Sequence, residues 1–373
     1  MRPLVAHIDL DALRHNYQLA QRCAPQSRSV AVIKADAYGH GALACARALE
    51  SCVPAFAVAS LDEALVLRRG GIDVPIVLLE GIFSVDELAL VDTHRLWMAV
   101  HSRWQLEALL AFTPEAPIPV WLKVDSGMHR LGFAPAEIDA VWHALSAAPQ
   151  VGELHLMSHF ATADATASAH YHQQWDCVHE LACRLDAPLC LANSPATLAH
   201  PETHGAFNRP GVMLYGSDPL EQANAASREL KPVMTLRSEV IALRDIGPGE
   251  PVGYGGRFCA SEPARIAVVA AGYGDGYDRH AADGTPVLVN GQRAALAGKV
   301  SMDMLTVDVT GIDDVHIGSE VVLWGRAQNG AVLSIDEVAR HCDTISYTLL
   351  TGVLPRVPRR YHGARALSDE TLR

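Results

Sequence analysis

Eight short apolar runs separated by amphipathic stretches constrain this chain more than any other feature: 30–33, 56–59, 76–79, 96–100, 120–124, 154–157, 189–192 and 212–215. Runs without period-two alternation read as strands covered on both faces, as in parallel sheets. The stretches between them open on helix signals. Ser60 with Glu63, Ser84 with Glu87 and Ser102 with Gln105 have the spacing of capping boxes or their glutamine variant, as does Ser334 with Glu337 later. Gly70-Gly71 stops the first of these helices, and Pro135 opens another. Eight such βα units predict an α/β fold with an N-terminal (β/α)8 barrel, preceded by an extra helix over 10–21. An open doubly wound sheet competes, but it calls for a glycine-rich turn leading into a helix after its first strand. The dense cluster Gly272-Tyr273-Gly274-Asp275-Gly276 precedes no helical pattern.

The pattern changes across the polar, alanine-rich segment 217–227. Beyond it, β-like runs at 233–242, 265–271, 286–290, 304–309 and 320–324 alternate with Gly-Pro-Gly or Asp-Gly turns, interrupted by one capped helix over 334–341. The expected division is a barrel over 10–228 and a C-terminal mainly-β domain over 229–373. A formal charge of −12 leaves no basic face for nucleic acid, and no apolar run reaches membrane-spanning length. The eight cysteines form no C-x-x-C pair or disulfide spacing and read as free thiols, and the first residues carry no apolar leader, so a cytoplasmic protein is expected. Small-molecule chemistry is favoured.

Barrel active sites are built at strand C-termini. The run 30–33 ends in Lys34, followed by Tyr38, Gly39 and Gly41. A lysine leaving a buried strand is a residue type that attacks carbonyls, because lost hydration favours the free amine. Near the seventh and eighth runs stand Ser194, Arg209, Gly211 and Val212, a hydroxyl and backbone N–H groups able to cradle a phosphate. Lys123 lies inside an apolar strand and needs a partner or a modification, Arg130 offers a planar fork to a carboxylate, and His159 ends the sixth run. His155, His170 and His172 come with no plausible carboxylate or thiol set, so no metal is expected.

Together these segments resemble the alanine racemase family. The likeness is carried by Ala31-Val32-Ile33-Lys34-Ala35-Asp36-Ala37-Tyr38-Gly39-His40-Gly41 and extends from His7-Ile8-Asp9-Leu10 to Arg356-Val357-Pro358-Arg359. The resemblance implies a pyridoxal-phosphate enzyme that interconverts L- and D-alanine, a strand over 1–9 that packs on the β domain, and a head-to-tail homodimer with shared active sites. By the same resemblance Lys34 carries the cofactor, while Tyr38, Ser194, Gly211, Val212 and Tyr347 hold its phosphate. Arg209 faces the pyridine nitrogen, with His159 relayed to it. Arg130, supported by a carbamylated Lys123, binds the carboxylate region and ring oxygen.

Inversion through a planar intermediate needs an acid/base on each face, and Lys34 serves one. For the other, residue chemistry leaves both Tyr254 and Tyr273 open; the resemblance assigns Tyr254, contributed across the dimer, and places Tyr273 at the entryway with Arg279 and Asp164. It also gives the backbone N–H of Met302 to the substrate carboxylate. A decarboxylase of similar architecture would carry an acidic group where Arg209 stands. A non-catalytic cofactor carrier built of the barrel alone would not need about 140 further residues. A broad-specificity racemase is the nearest rival.

Overall fold

The computed structural model describes residues 2–363. After β1 (Val5–Asp9) and the helix Leu10–Cys23 come β2 (Arg28–Ser29), β3 (Ala31–Val32), β4 (Phe56–Val58), β5 (Ile76–Leu78) and β6 (Trp97–Val100). They are followed by β7 (Ile118–Lys123), β8 (Val151–Met157), β9 (Leu189–Cys190) and β10 (Phe207–Asn208). From β2 to β10 all pairings are parallel, in the order β2-β10-β9-β8-β7-β6-β5-β4-β3. β2 and β3 are two halves of one strand divided at Val30. Alternate N–H groups along it face opposite neighbours: Val30 donates to Asn208 (2.8 Å) and Val32 to Pro210 (3.1 Å), whereas Ala31 donates to Ala55 (3.2 Å) and Ile33 to Ala57 (2.9 Å). The sheet therefore closes on itself as an eight-stranded barrel. Ala31, Phe56, Val77, Met98 and Trp121 are fully buried, as strands enclosed on both faces require.

The eighth strand differs from the reading of 212–215. Val212–Tyr215 forms a 3-10 turn, and the strand is the more polar Phe207–Asn208 just before it. All four residues of the turn are buried, so its apolar run reflects enclosure, which a helical turn and a strand produce alike. Of the four capping serines, Ser334 accepts the N–H of Asp336 at 3.1 Å as expected, and the other three differ. Ser60 and Ser102 accept no cap hydrogen bond, and the helix after Ser84 starts only at Glu87. Instead Glu63, Glu87 and Gln105 each accept the N–H of the residue before the serine, Ala59, Phe83 and His101 respectively. The longer side chain reaches past the cap and pins the incoming strand end.

The C-terminal part contains β11 (Met234–Ile246), β12 (Pro251–Val252), β13 (Phe258–Cys259), β14 (Ala264–Val269), β15 (Pro286–Val289) and β16 (Gln292–Leu296). β17 (Leu305–Asp308), β18 (Glu320–Arg326), β19 (Val332–Leu333) and β20 (Arg359–His362) complete it. β11, β14, β17, β16, β15 and β18 form an antiparallel ring, closed where β18 pairs back onto β11. β1 joins this sheet, antiparallel to β11 and parallel to β20, so both ends of the described chain meet beside the ring. The fold is thus a parallel α/β barrel with a C-terminal antiparallel β domain. Met1, in the expected strand 1–9, and residues 364–373 of the expected second domain lie outside the described residues. Among the described residues no helix is long and apolar enough to cross a membrane.

Candidate active site

At the C-terminal ends of the barrel strands lies a cavity of about 600 Å³. Lys34 enters it just past β3, and the backbone that follows is unusual. Ala35, Asp36, Ala37 and Tyr38 have φ of 51°, 53°, 52° and 52°, forming a left-handed turn within Lys34–Gly39. Each such L-residue costs roughly 1–2 kcal/mol, so the turn needs external holds. Glu63 accepts the N–H of Ala35 with one carboxylate oxygen and that of Ala59 with the other, both at 2.7 Å. His40 Nδ1–H donates to the carbonyls of Ala37 and Tyr38 at 3.0 and 2.9 Å. Burial brings the His40 imidazole down to about 4, which keeps it neutral. Arg359 Nε–H closes the turn on the Gly39 carbonyl at 3.2 Å.

The turn stacks the Tyr38 ring on Tyr215, centroids 4.8 Å apart, and aims its hydroxyl at Gly211. A Cβ on Gly211 would lie 2.7 Å from that oxygen, so any side chain there would push the hydroxyl away. Ser194 Oγ accepts the N–H of Gly211 (2.8 Å) and of Met213 (3.3 Å). With both lone pairs engaged, the hydroxyl has only its hydrogen left to offer. Burial raises the Tyr38 phenol and brings Tyr347 up to about 12, so both remain protonated donors. This end of the cavity, where Val212 also lies, presents donors to an anion.

Arg209 follows β10 and is buried. Its guanidinium donates to the carbonyls of Cys190, Ser158 (2.6 Å) and Leu191 (3.2 Å), and to His159 Nδ1 at 3.4 Å. Among the described residues no carboxylate pairs with it. Burial, then the charges of Arg209, Arg130, Lys123 and Lys34, hold His159 well below its ordinary range, so it accepts from Arg209 as a neutral ring. Lys123 ends β7 with its side chain buried. Burial, reinforced by Arg209 and Arg130, brings its amine from 10.5 down to about 8. Among the described residues, Lys34, Lys123, Arg130 and Arg209 line the cavity against a single carboxylate, Glu80.

Asp164 lines an adjoining cavity, which shares His159, Asn193 and Tyr347 with the first. Tyr254, Tyr273, Arg279 and Met302 do not line the barrel cavity within this chain. They belong to the β domain, where Tyr254 is 67% and Met302 54% exposed and Arg279 stands 5.7 Å from the Tyr273 ring centroid. Glu80 and Asn193 escaped the reading of the sequence. Each directly follows an apolar run, and that position is the signal that would have found them: the Glu80 carbonyl accepts from His101 and Gln105, and Asn193 caps the helix Ser194–Ala199.

The model of the alanine racemase N-terminal domain matches residues 8–219, and that of the alanine racemase C-terminal domain matches residues 233–361. An alanine racemase of Chromohalobacter salexigens is 68% identical over 97% of this chain and 99% of its own length. The crystal structure of a biosynthetic alanine racemase from Pseudomonas aeruginosa superposes with a TM-score of 0.92 at 50% identity, over 97% of this chain and all of that one. An alanine racemase from Bartonella henselae, solved with covalently bound pyridoxal phosphate, gives 0.86 at 27% identity, over 97% of this chain and all of that one. With both domain models matched in order and these likenesses spanning nearly its whole length, the chain belongs to the alanine racemase family.

Proposed function

We propose that the chain interconverts L- and D-alanine with pyridoxal phosphate carried on Lys34, and that it works as a homodimer in which Tyr254 of the partner subunit faces that lysine. The observation that carries the reading is the convergence, in one cavity, of a lysine amine, a donor-only Ser194 hydroxyl and a buried arginine that pairs with no carboxylate among the described residues. These residues fit the cofactor: Tyr38, Ser194, Tyr347 and the backbone at Gly211 and Val212 suit a phosphate, and Arg209 suits a ring nitrogen as acceptor. When bound, pyridoxal phosphate supplies an aldehyde that takes up the substrate amine and a conjugated ring that acidifies its Cα–H.

The Arg209 guanidinium does not give up its proton, so it would donate a hydrogen bond to the ring nitrogen without protonating it. That would favour return of a proton to Cα over delivery to the cofactor, and hence racemisation over transamination. Lys34 removes or returns the proton on one face, and Tyr254 of the partner subunit does so on the other. His159 extends the Arg209 network. A neutral Lys123 amine, accessible near pH 8, is the form that takes up carbon dioxide; the resulting carbamate would give Arg130 an anionic support and remove one cation from the cluster. Arg130 and the Met302 backbone N–H of the partner subunit would hold the substrate carboxylate, with Tyr273, Arg279 and Asp164 bounding the entry.

Tyr254, Met302 and Tyr273 are exposed apolar or aromatic groups, which favours a surface covered by a second copy. Eight cysteines without a C-x-x-C pair or disulfide spacing favour a reducing, cytoplasmic setting. The test is Lys34→Ala: visible cofactor absorbance and borohydride-fixed cofactor should both disappear, and retention of both would refute the assignment.

A further inference from the structure

Tyr273 and Met302 stand on two different loops, and one buried carboxylate ties these loops together. Asp275, 1% exposed, accepts the Gly272 N–H at 2.8 Å, Arg356 Nε–H at 2.7 Å and both terminal nitrogens of Arg2, Nη2 at 2.7 Å. The same guanidiniums reach across to the second loop. Arg2 Nη2–H donates to the Asp303 carbonyl at 2.7 Å, and Arg356 Nη2–H to the Asp303 carboxylate at 2.5 Å. The backbones are zipped as well: Tyr273 N–H donates to Ser301 O at 3.0 Å and Gly274 N–H to Met302 O at 2.8 Å. Contact is so close that a Cβ on Gly272 would lie 2.3 Å from the Ser301 carbonyl oxygen.

A carboxylate removed from water is costly unless charged donors satisfy it, and here two arginines from opposite ends of the chain do so. Burial alone would raise the Asp275 carboxyl, but the hydrogen bonds from Arg2, Arg356 and Gly272 outweigh it and hold the group ionised. The cluster does not line this chain's own barrel cavity. What it immobilises is the spacing between two surface groups, Tyr273 (36% exposed) and Met302 (54%).

We infer that Asp275, gripped by Arg2 and Arg356, is a positioning residue that sets the separation of Tyr273 and Met302 where they enter the partner subunit's cavity, so that it governs substrate binding there and not in its own barrel. This rests on the shared-site reading above. Neither group it places is assigned a proton transfer, so its loss acts on KM more than on kcat.

In an Asp275→Asn homodimer the KM for alanine should rise about tenfold, with visible cofactor absorbance unchanged. Two mixed dimers, isolated through different affinity tags, decide the assignment. Pairing an Asp275→Asn chain with a Lys34→Ala chain leaves one competent cavity, which receives intact loops, and its KM should be native. Pairing a Lys34→Ala/Asp275→Asn chain with a native chain gives a competent cavity that receives altered loops, and its KM should be raised. Equal KM values in the two would overturn the assignment. A control pair, Lys34→Ala with Tyr254→Phe, should recover activity; without recovery both the shared site and the Asp275 role fall, whereas recovery with equal KM values removes the Asp275 role alone. Should the Asp275→Asn chain yield no dimer, Arg356→Gln takes its place in the same pairs with the same expectations.

Discussion

Lys123 carries a charge that its surroundings oppose. Burial and two neighbouring arginines bring its amine to about 8, against 10.5 in water. Between these values the unfolded chain holds a proton that the folded chain has shed, so stability should rise as pH climbs from about 8 to about 10.5, and Lys123 should add no pH dependence below that window. Urea midpoints measured without carbon dioxide should show the rise, and Lys123→Met should flatten it. Added bicarbonate at pH 8 should stabilise the native chain and leave Lys123→Met unchanged if the carbamate forms. The lysine was conspicuous in the sequence because it interrupts an apolar strand. Glu80 was not, since a carboxylate after an apolar run reads as a side chain leaving for solvent.

At the scale of elements, the barrel was legible because enclosed parallel strands appear as unalternated apolar runs. That signal failed at Val212–Tyr215, where a turn is buried as thoroughly as a strand. The left-handed turn after Lys34 was hidden for a different reason. Four consecutive non-glycine residues in that conformation contradict local preference, and the compensation comes from His40 at the end of the turn and from Glu63 and Arg359 elsewhere in the chain. Glu63→Gln leaves a single carboxamide oxygen for two N–H groups and should cost about 1–3 kcal/mol. Because the turn orients both Lys34 and Tyr38, cofactor affinity should fall together with the denaturant midpoint. A drop in the midpoint with unchanged cofactor affinity would show the turn to be structural only.

The whole molecule divides the chemistry between its two parts. The barrel gathers Lys34, Arg209 and the anion-facing donors in one cavity, whereas the β domain leaves Tyr254 exposed at its surface. Strand ends announce the first group in the sequence; in the proposed homodimer the cavity that Tyr254 serves depends on how two copies meet, and nothing in the local pattern around it says which. The proposed mechanism therefore needs two opposed proton carriers supplied by two chains. Hydrogen exchange at Cα in deuterium oxide, followed by NMR for each alanine enantiomer with the Tyr254→Phe protein, tests this directly. Exchange should persist for one enantiomer with its configuration retained and nearly vanish for the other; native rates for both, with inversion, would contradict it.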